Sequence, residues 1–452
     1  MQIPRLFLAV VGLLTLVSLA ADWNRFRGPN GSGVSEDTVA TPSEWSETKN
    51  LKWKIALPGA GVSCPIVVGN KLFVTCYTGY GESREKMGDM KDLVRHLLCI
   101  DKATGKELWR KSVPSTVAED PYGGMGVPQH GYASHTPVSD GQRVFVFFGK
   151  SGVLAFDLDG KQLWQTSVGT SSDPMNWGSS SSPIVHEAGV IVPAGAESRA
   201  IICLDKETGK ELWRSNADSL GRVWGTPAVV ETEGKSEIVI GAPFEVWGLN
   251  PANGKLRWFC PATEDDQYSS SVVVAGNTVY AVGGRGGGSV AVKAGGKDDV
   301  SGSHVVWKGR DSVRFSTPVV YDGKMFIVAD GIVACLDAAT GKEIFQSRLS
   351  TGRTAASSEA NRGTGGGGAG GGGRRGGGMG GGDYASPIIA DGKVYHLTRG
   401  GDMHVFAVAD EFKPIAVNRV TSDSEDFSAT PAVSEGAIYI RSNKHLYCIA
   451  QQ

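Results

Sequence analysis

The stretch Asp101-Lys-Ala-Thr-Gly-Lys-Glu-Leu-Trp109 returns almost unchanged as Asp205-Lys-Glu-Thr-Gly-Lys-Glu-Leu-Trp213. Looser copies run from Asp157 to Trp164, Asn250 to Trp258 and Asp337 to Phe345. Trp307 ends a copy that has lost its turn, and Phe406 to Pro414 is a further weak one. Each copy has the chemistry of a hairpin feeding an outer strand. Asp or Asn accepts backbone N–H groups, and Gly takes the left-handed conformation that closes the turn. Lys and Glu suit an exposed strand, and the terminal Trp covers apolar surface between neighbouring sheets.

A second pattern alternates with the first. A small polar residue, usually followed by Pro, leads into β-branched residues and a Gly turn: Cys64-Pro65, Thr136-Pro137, Ser182-Pro183, Thr226-Pro227, Ser270-Ser271, Thr317-Pro318, Ser386-Pro387 and Thr430-Pro431. Pro is tolerated there because the first residue of a strand need not donate to the ladder. Most starts lie 44 to 47 residues apart, with two longer intervals of 72 and 69. Eight such periods, each with four short strands, predict an all-β, eight-bladed propeller over residues 50–452. The last copy, ending at Leu446-Tyr-Cys448, lacks an outer strand, and Leu51-Lys-Trp53-Lys-Ile55 is an orphan one. Pairing the two closes the ring and leaves no sheet edge.

The repeats resemble the tryptophan-docking repeat of the pyrroloquinoline-quinone (PQQ) quinoproteins over nearly all of residues 50 to 450. The segment Trp23-Asn-Arg-Phe-Arg-Gly-Pro-Asn-Gly-Ser-Gly33 resembles the lead-in of exported PQQ-like repeat proteins of planctomycetes, and Gly131-Tyr132-Ala-Ser134-His-Thr-Pro137 is similar to that group too. This fold class holds PQQ-dependent alcohol and sugar dehydrogenases and a non-catalytic outer-membrane assembly lipoprotein. In the dehydrogenases, the resemblance implies, the quinone lies at the end of the channel over a Trp, with Ca²⁺ held by Glu, Asn and Asp. Many members also carry a disulfide between adjacent cysteines; this chain has no adjacent pair, and it is shorter than those enzymes usually are.

Residues 1–20 carry an export address. Arg5 precedes the apolar run Leu6 to Val17, and Ser18-Leu19-Ala20 supplies small residues for cleavage after Ala20. The expected destination is the periplasm or the exterior, with no transmembrane segment after cleavage. Residues 21–49 form a lead-in. The formal charge is −2, and Lys and Arg are evenly spread, which excludes a nucleic-acid partner. The seven cysteines read as core thiols, since Cys99, Cys203, Cys335 and Cys448 recur at one repeat position, in different blades. Residues 78–97 form a charged insert, either a short amphipathic helix or an exposed loop. Residues 363–382 contain 15 glycines, a composition that predicts a disordered loop.

Loops before the inner strands ring the channel mouth, and there the sequence places Trp224, Tyr268, Phe315 and Tyr384, with Tyr132 and Trp177 slightly earlier. Arg222, Arg314, Asp265 and Asp266 share these loops, and His130 and His135 flank Tyr132. Aromatic rings with interspersed Arg can hold a planar or anionic ligand by stacking and bidentate hydrogen bonds; equally, the aromatics can plug the core. Asp265 and Asp266 are the candidate metal ligands. Two functions follow as expectations. One is a monomeric, exported, non-enzymatic binding or scaffolding propeller, whose partner is a protein, a glycan or a small ligand at the channel mouth. The alternative is a PQQ- and Ca²⁺-dependent oxidoreductase of alcohols or sugars, with Trp177 or Trp224 as stacking platform and Arg222 or Arg314 on the quinone carboxylates.

Overall fold

The computed structural model describes residues 23–124, 126–350 and 382–451. The expected leader, and the glycine-rich run apart from Gly382, lie outside the described residues. Eight antiparallel sheets are arranged as blades with inner strands at Ile66–Val68, Val138–Ser139, Ile184–His186, Ala228–Thr232, Val273–Ala275, Val319–Tyr321, Ile388–Ala390 and Ala432–Ser434. The inner strand Ile66–Val68 is wholly buried, whereas the outer strand Glu107–Pro114 is exposed or half-buried at every residue but Val113. Leu51–Ala56 pairs antiparallel with His445–Ile449, so the eighth blade takes its outer strand from the front of the chain.

The Trp-Gly pair of the repeat joins neighbouring blades. Each Trp lies on the turn Gly of the next blade and donates Nε1–H to a carbonyl there. Trp53 reaches Lys102 at 3.2 Å, Trp109 Leu158 at 3.1 Å, Trp164 Lys206 at 3.1 Å, Trp213 Pro251 at 2.8 Å and Trp307 Ala338 at 2.9 Å. A Cβ added to Gly209 would sit 2.6 Å from the Trp164 ring, and Gly209 has φ +71°. The glycine is therefore required twice, for its dihedral and for the close approach. Trp258 has no such turn ahead of it, because the following blade lost the motif. Its Nε1–H donates instead to Glu237 Oε2 at 2.6 Å, and Asp298–Asp299 lies parallel beside it as a fifth strand.

All seven cysteines are buried and free. Cys99, Cys203 and Cys448 each pair across the sheet with the docking Trp, and Cys335 with Phe345. In the charged insert the strands extend to Thr78 and restart at Val94, and the intervening residues form a loop with one short turn at Met90–Asp92. No helix among the described residues is long and apolar enough to cross a membrane.

The lead-in runs across one end of the channel. Trp23 O accepts from Val67 N, Asn24 exchanges hydrogen bonds with Ser139, Asn30 does so with Val229, and Ser35 N donates to Ile389 O. It thereby laces the inner strands of blades 1, 2, 4 and 7. The buried Arg25 donates to Pro227 O at 2.8 Å, and Arg27 to Thr317 O and Pro318 O at 2.6 and 2.7 Å.

If the Trp-Gly contact joins the blades, Gly209→Ala lowers stability by about 3 kcal/mol, as strain and overpacking add. Gly323→Ala, at φ +70° with open space around it, should cost only about 1 kcal/mol. Urea unfolding of the two variants reads the difference; equal losses would show that the docking contact contributes nothing.

Candidate functional site

The strand-start residues close a ring of hydrogen bonds around the axis. The backbone N–H at each start donates to the side chain of the next: Cys64 to Thr136, Thr136 to Ser182, Ser182 to Thr226, Thr226 to Ser271, Ser271 to Thr317, Thr317 to Ser386, and Ser386 to Thr430, all at 2.9–3.0 Å. Thr430 N closes the circuit on Cys64 Sγ at 3.2 Å. Strand periodicity then turns every second residue to the channel. The positions two residues earlier, Val62, Ser134, Ser180, Trp224, Ser269, Phe315, Tyr384 and Ser428, form a second layer above the ring. The two layers enclose a cavity of about 240 Å³, with Phe26 of the lead-in also in its wall.

Five of the predicted aromatic and basic residues meet here. Trp177 and Trp224 pack with ring centroids 5.5 Å apart, and Trp224 Nε1 donates to Gly178 O at 2.8 Å. Phe315 and Tyr384 stack at 4.2 Å and 13°. Arg314 lies 4.9 Å over Phe315. Gln129, in the turn before blade 2, lines the cavity as well; the sequence reading missed Arg285, which reaches it from the glycine-rich loop of blade 5. It also missed Arg399, 5.3 Å over Tyr384, which bonds Asp426 at 2.5 Å and Gln129 at 3.1 Å and so ties blade 7 to the turn before blade 2.

Other predicted residues lie elsewhere. The blade-5 ring position is Ser271, one residue later than the sequence pattern suggested. Ser270 Oγ instead donates within its blade to Val282 O, as Ser316 does to Val328 O. That one-residue shift exchanges faces. Ser269 therefore faces the channel, while Tyr268 is buried against Gly241. Tyr132 packs edge-on to Tyr77 and donates to Asp120 O at 2.6 Å, away from the cavity. Arg222 pairs with Asp266 on the exposed rim. Asp265 is buried and accepts from Gly286 N at 2.5 Å, so the two adjacent carboxylates diverge. A calcium ion needs several converging oxygens, carboxylates among them. Among the described residues no Asp or Glu lines the cavity, and no cluster of three His, Cys, Asp or Glu could hold a metal. The donor set does not fit calcium, whereas the paired aromatics and arginines fit the flat, anionic quinone.

Behind the cavity wall lies a smaller polar pocket. His130 separates the two, donating Nε2–H to Trp177 O at 2.7 Å, with Nδ1 2.6 Å from Ser134 Oγ. Arg95–Glu119 and Lys150–Asp120 ion pairs of 2.9 and 2.8 Å form part of its lining. The Ser179 hydroxyl donates to Glu197, so His135 Nε2–H donates to Ser179 at 2.9 Å. Burial pushes Glu197 up to about 7 and His135 down to about 3. Nothing local in the sequence marked Glu197, since its partners come from other loops.

The comparisons bear on this geometry. A family profile described as Outer membrane protein assembly factor BamB matches residues 90–222 and 196–347, together more than half of the chain. A polyvinylalcohol dehydrogenase from Pseudomonas sp. is 22% identical over 279 residues, covering 52% of this chain and 39% of the relative's length. A second, from a Sphingopyxis strain, is matched over 41% of its length, so the alignments span about two-fifths of these relatives. Among solved structures, BamB from Moraxella catarrhalis superposes with TM-score 0.56 at 11% identity, over 88% of this chain and 98% of that one. A europium-containing methanol dehydrogenase gives 0.61 at 9%, over 95% and 98%. These likenesses show the fold.

Glu197 holds its proton in the folded state between about pH 4.5 and 7, where the unfolded chain has lost it. Its contribution to stability therefore falls as pH rises through that window. His135 acts oppositely below pH 6.5, where the unfolded chain is the more protonated. Glu197→Gln should be more stable than the parent at pH 8, by roughly 3 kcal/mol, with little difference at pH 4.5. Thermal melts of both proteins at the two pH values check this; parallel curves would remove Glu197 as the titrating group.

Proposed function

The chain belongs to the BamB family of PQQ-type propellers, and from that premise we propose that it is a non-enzymatic binding propeller, whose channel mouth receives a planar, anionic small ligand. The observation that carries this reading is the lining of the mouth. Two aromatic pairs flank Arg285 and Arg314, neither of which has a carboxylate partner among the described residues, and no acidic side chain joins them. Flat faces supply stacking area, and guanidinium groups supply charge and forked hydrogen bonds. A cavity closed at one end and open at the other is also a common form for a small-molecule site. The expected leader and the outer-membrane description of the family support a place outside the cytoplasm, periplasmic or secreted. A closed ring of blades has no edge that demands a second copy, which supports a monomer.

One observation favours the second reading, an alcohol oxidoreductase carrying PQQ: the alignment with polyvinylalcohol dehydrogenases. The quinone fits the aromatic and arginine groups, and when bound it supplies a two-electron acceptor. Trp177 and Trp224 would stack on it, and Arg285 and Arg314 would hold its carboxylates. The described lining is built of aromatic rings, hydroxyls and guanidinium groups, a composition suited to holding a ligand, and this favours binding over turnover.

Calorimetric titration of the purified protein with PQQ, with and without Ca²⁺, separates the two. Binding indifferent to Ca²⁺, weakened about tenfold by Arg314→Ala or by Trp224→Ala and accompanied by no alcohol oxidation, is the expected result. Affinity that depends on Ca²⁺ together with saturable turnover of an alcohol or sugar would establish the oxidoreductase instead.

A further inference from the structure

The inner end of the cavity carries a charge pattern that the mouth does not explain. Ser182, Thr226, Ser271, Thr317 and Ser386 each accept a backbone N–H from the preceding blade, and all five line the cavity. A hydroxyl that accepts one bond still has a proton to give. None of these five hydroxyls has a protein acceptor among the described residues. They form a crown of unused O–H donors.

Beside this crown are buried cations without counter-ions. Arg25 and Arg27 flank Phe26, which itself lines the cavity, and Arg441 bonds Ser63, next to Cys64 of the ring. All three guanidiniums bond carbonyls or hydroxyls, and none pairs with a carboxylate among the described residues. The Nε–H of each, and one terminal nitrogen of Arg441, have no hydrogen-bond partner among the described residues. Arg27 bonds the carbonyl of Thr317, a member of the ring, and Arg441 bonds Ser63, the residue before Cys64. Burial alone disfavours a lone charge. The cluster therefore makes the closed end of the channel electropositive, in a setting where water screens little.

We propose that the closed end of the channel is an anion site, in which the ring hydroxyls receive an oxyanion or halide in the field of Arg25, Arg27 and Arg441. The anion is the acid group of a ligand that enters through the mouth, or a free inorganic ion. The first source rests on the binding function proposed above; the second does not. In either case the site selects for negative charge at the deep end, beyond the stacking surfaces of the mouth.

Three measurements on the purified protein test it. Crystals soaked in bromide locate the ion by anomalous scattering, and the expected peak lies within the hydroxyl crown; a peak only at Arg285 and Arg314, or none, overturns the proposal. Titration with naphthalene-2-carboxylate and its neutral isostere naphthalene-2-methanol, followed by tryptophan fluorescence, identifies the source. Binding of the carboxylate about tenfold tighter than the alcohol, with competition by bromide, assigns the anion to the ligand. A bromide peak without that discrimination assigns it to a free ion. Equal binding of both compounds with no bromide peak keeps the mouth as a binding site and removes the anion site. Failure of every probe removes both. Thr226→Val takes away one donor and should weaken bromide about tenfold; unchanged affinity in the folded variant would exclude the crown.

Discussion

The ring of backbone-to-side-chain hydrogen bonds at the strand starts is the constraint on which the rest of this molecule depends. Eight sheets that each bury both faces against their neighbours still need a common origin, or their inner strands would slide along the axis. The ring supplies it: each start is held by the next at nearly the same distance, and the circuit ends on itself. Because the inner strands begin at one level, the residues two positions earlier also share a level, and a wall of eight side chains surrounds one cavity. Cys64 shows that the geometry outranks the chemistry of the acceptor. A thiolate-capable sulfur takes the place of a hydroxyl, and burial holds its thiol well above the usual range.

Outside the ring, the blades are joined by a different contact, a Trp ring laid on a glycine one blade ahead. The two systems divide the work by radius. Near the axis polar groups are plentiful and backbone N–H groups need partners, so hydrogen bonds set the spacing. At the circumference, apolar area is wide and an indole fills it while keeping one N–H for a carbonyl. Where the motif failed, in the fifth blade, the neighbouring Trp258 took a buried carboxylate instead and a short strand covered it.

The lead-in turns an open ring into a vessel. It ties together blades far apart in sequence, and in doing so brings Arg25 and Arg27 into the interior, where carbonyls are their partners. A tunnel between two solvent faces becomes a cavity with one mouth, lined by aromatic rings and hydroxyls and bordered by positive charge.

Blade number, the strand that closes the ring, the exposed outer faces and the solitary cysteines were all legible in the amino-acid order, because they follow from a repeated local rule of turn residues, alternation and spacing. Trp224, Phe315, Tyr384, Trp177 and Arg314 were legible as neighbours of one mouth for the same reason, since equivalent repeat positions take equivalent places. The fifth blade shows the limit of that rule. Without a proline to mark it, Ser270 and Ser271 are interchangeable on paper, and the choice between them decides whether Tyr268 faces the channel or the core. Arg285, Arg399, Glu197 and the plug formed by Trp23 to Ser35 could not be read this way at all. Their positions depend on contacts between residues tens or hundreds apart, and such contacts exist only once the ring has closed.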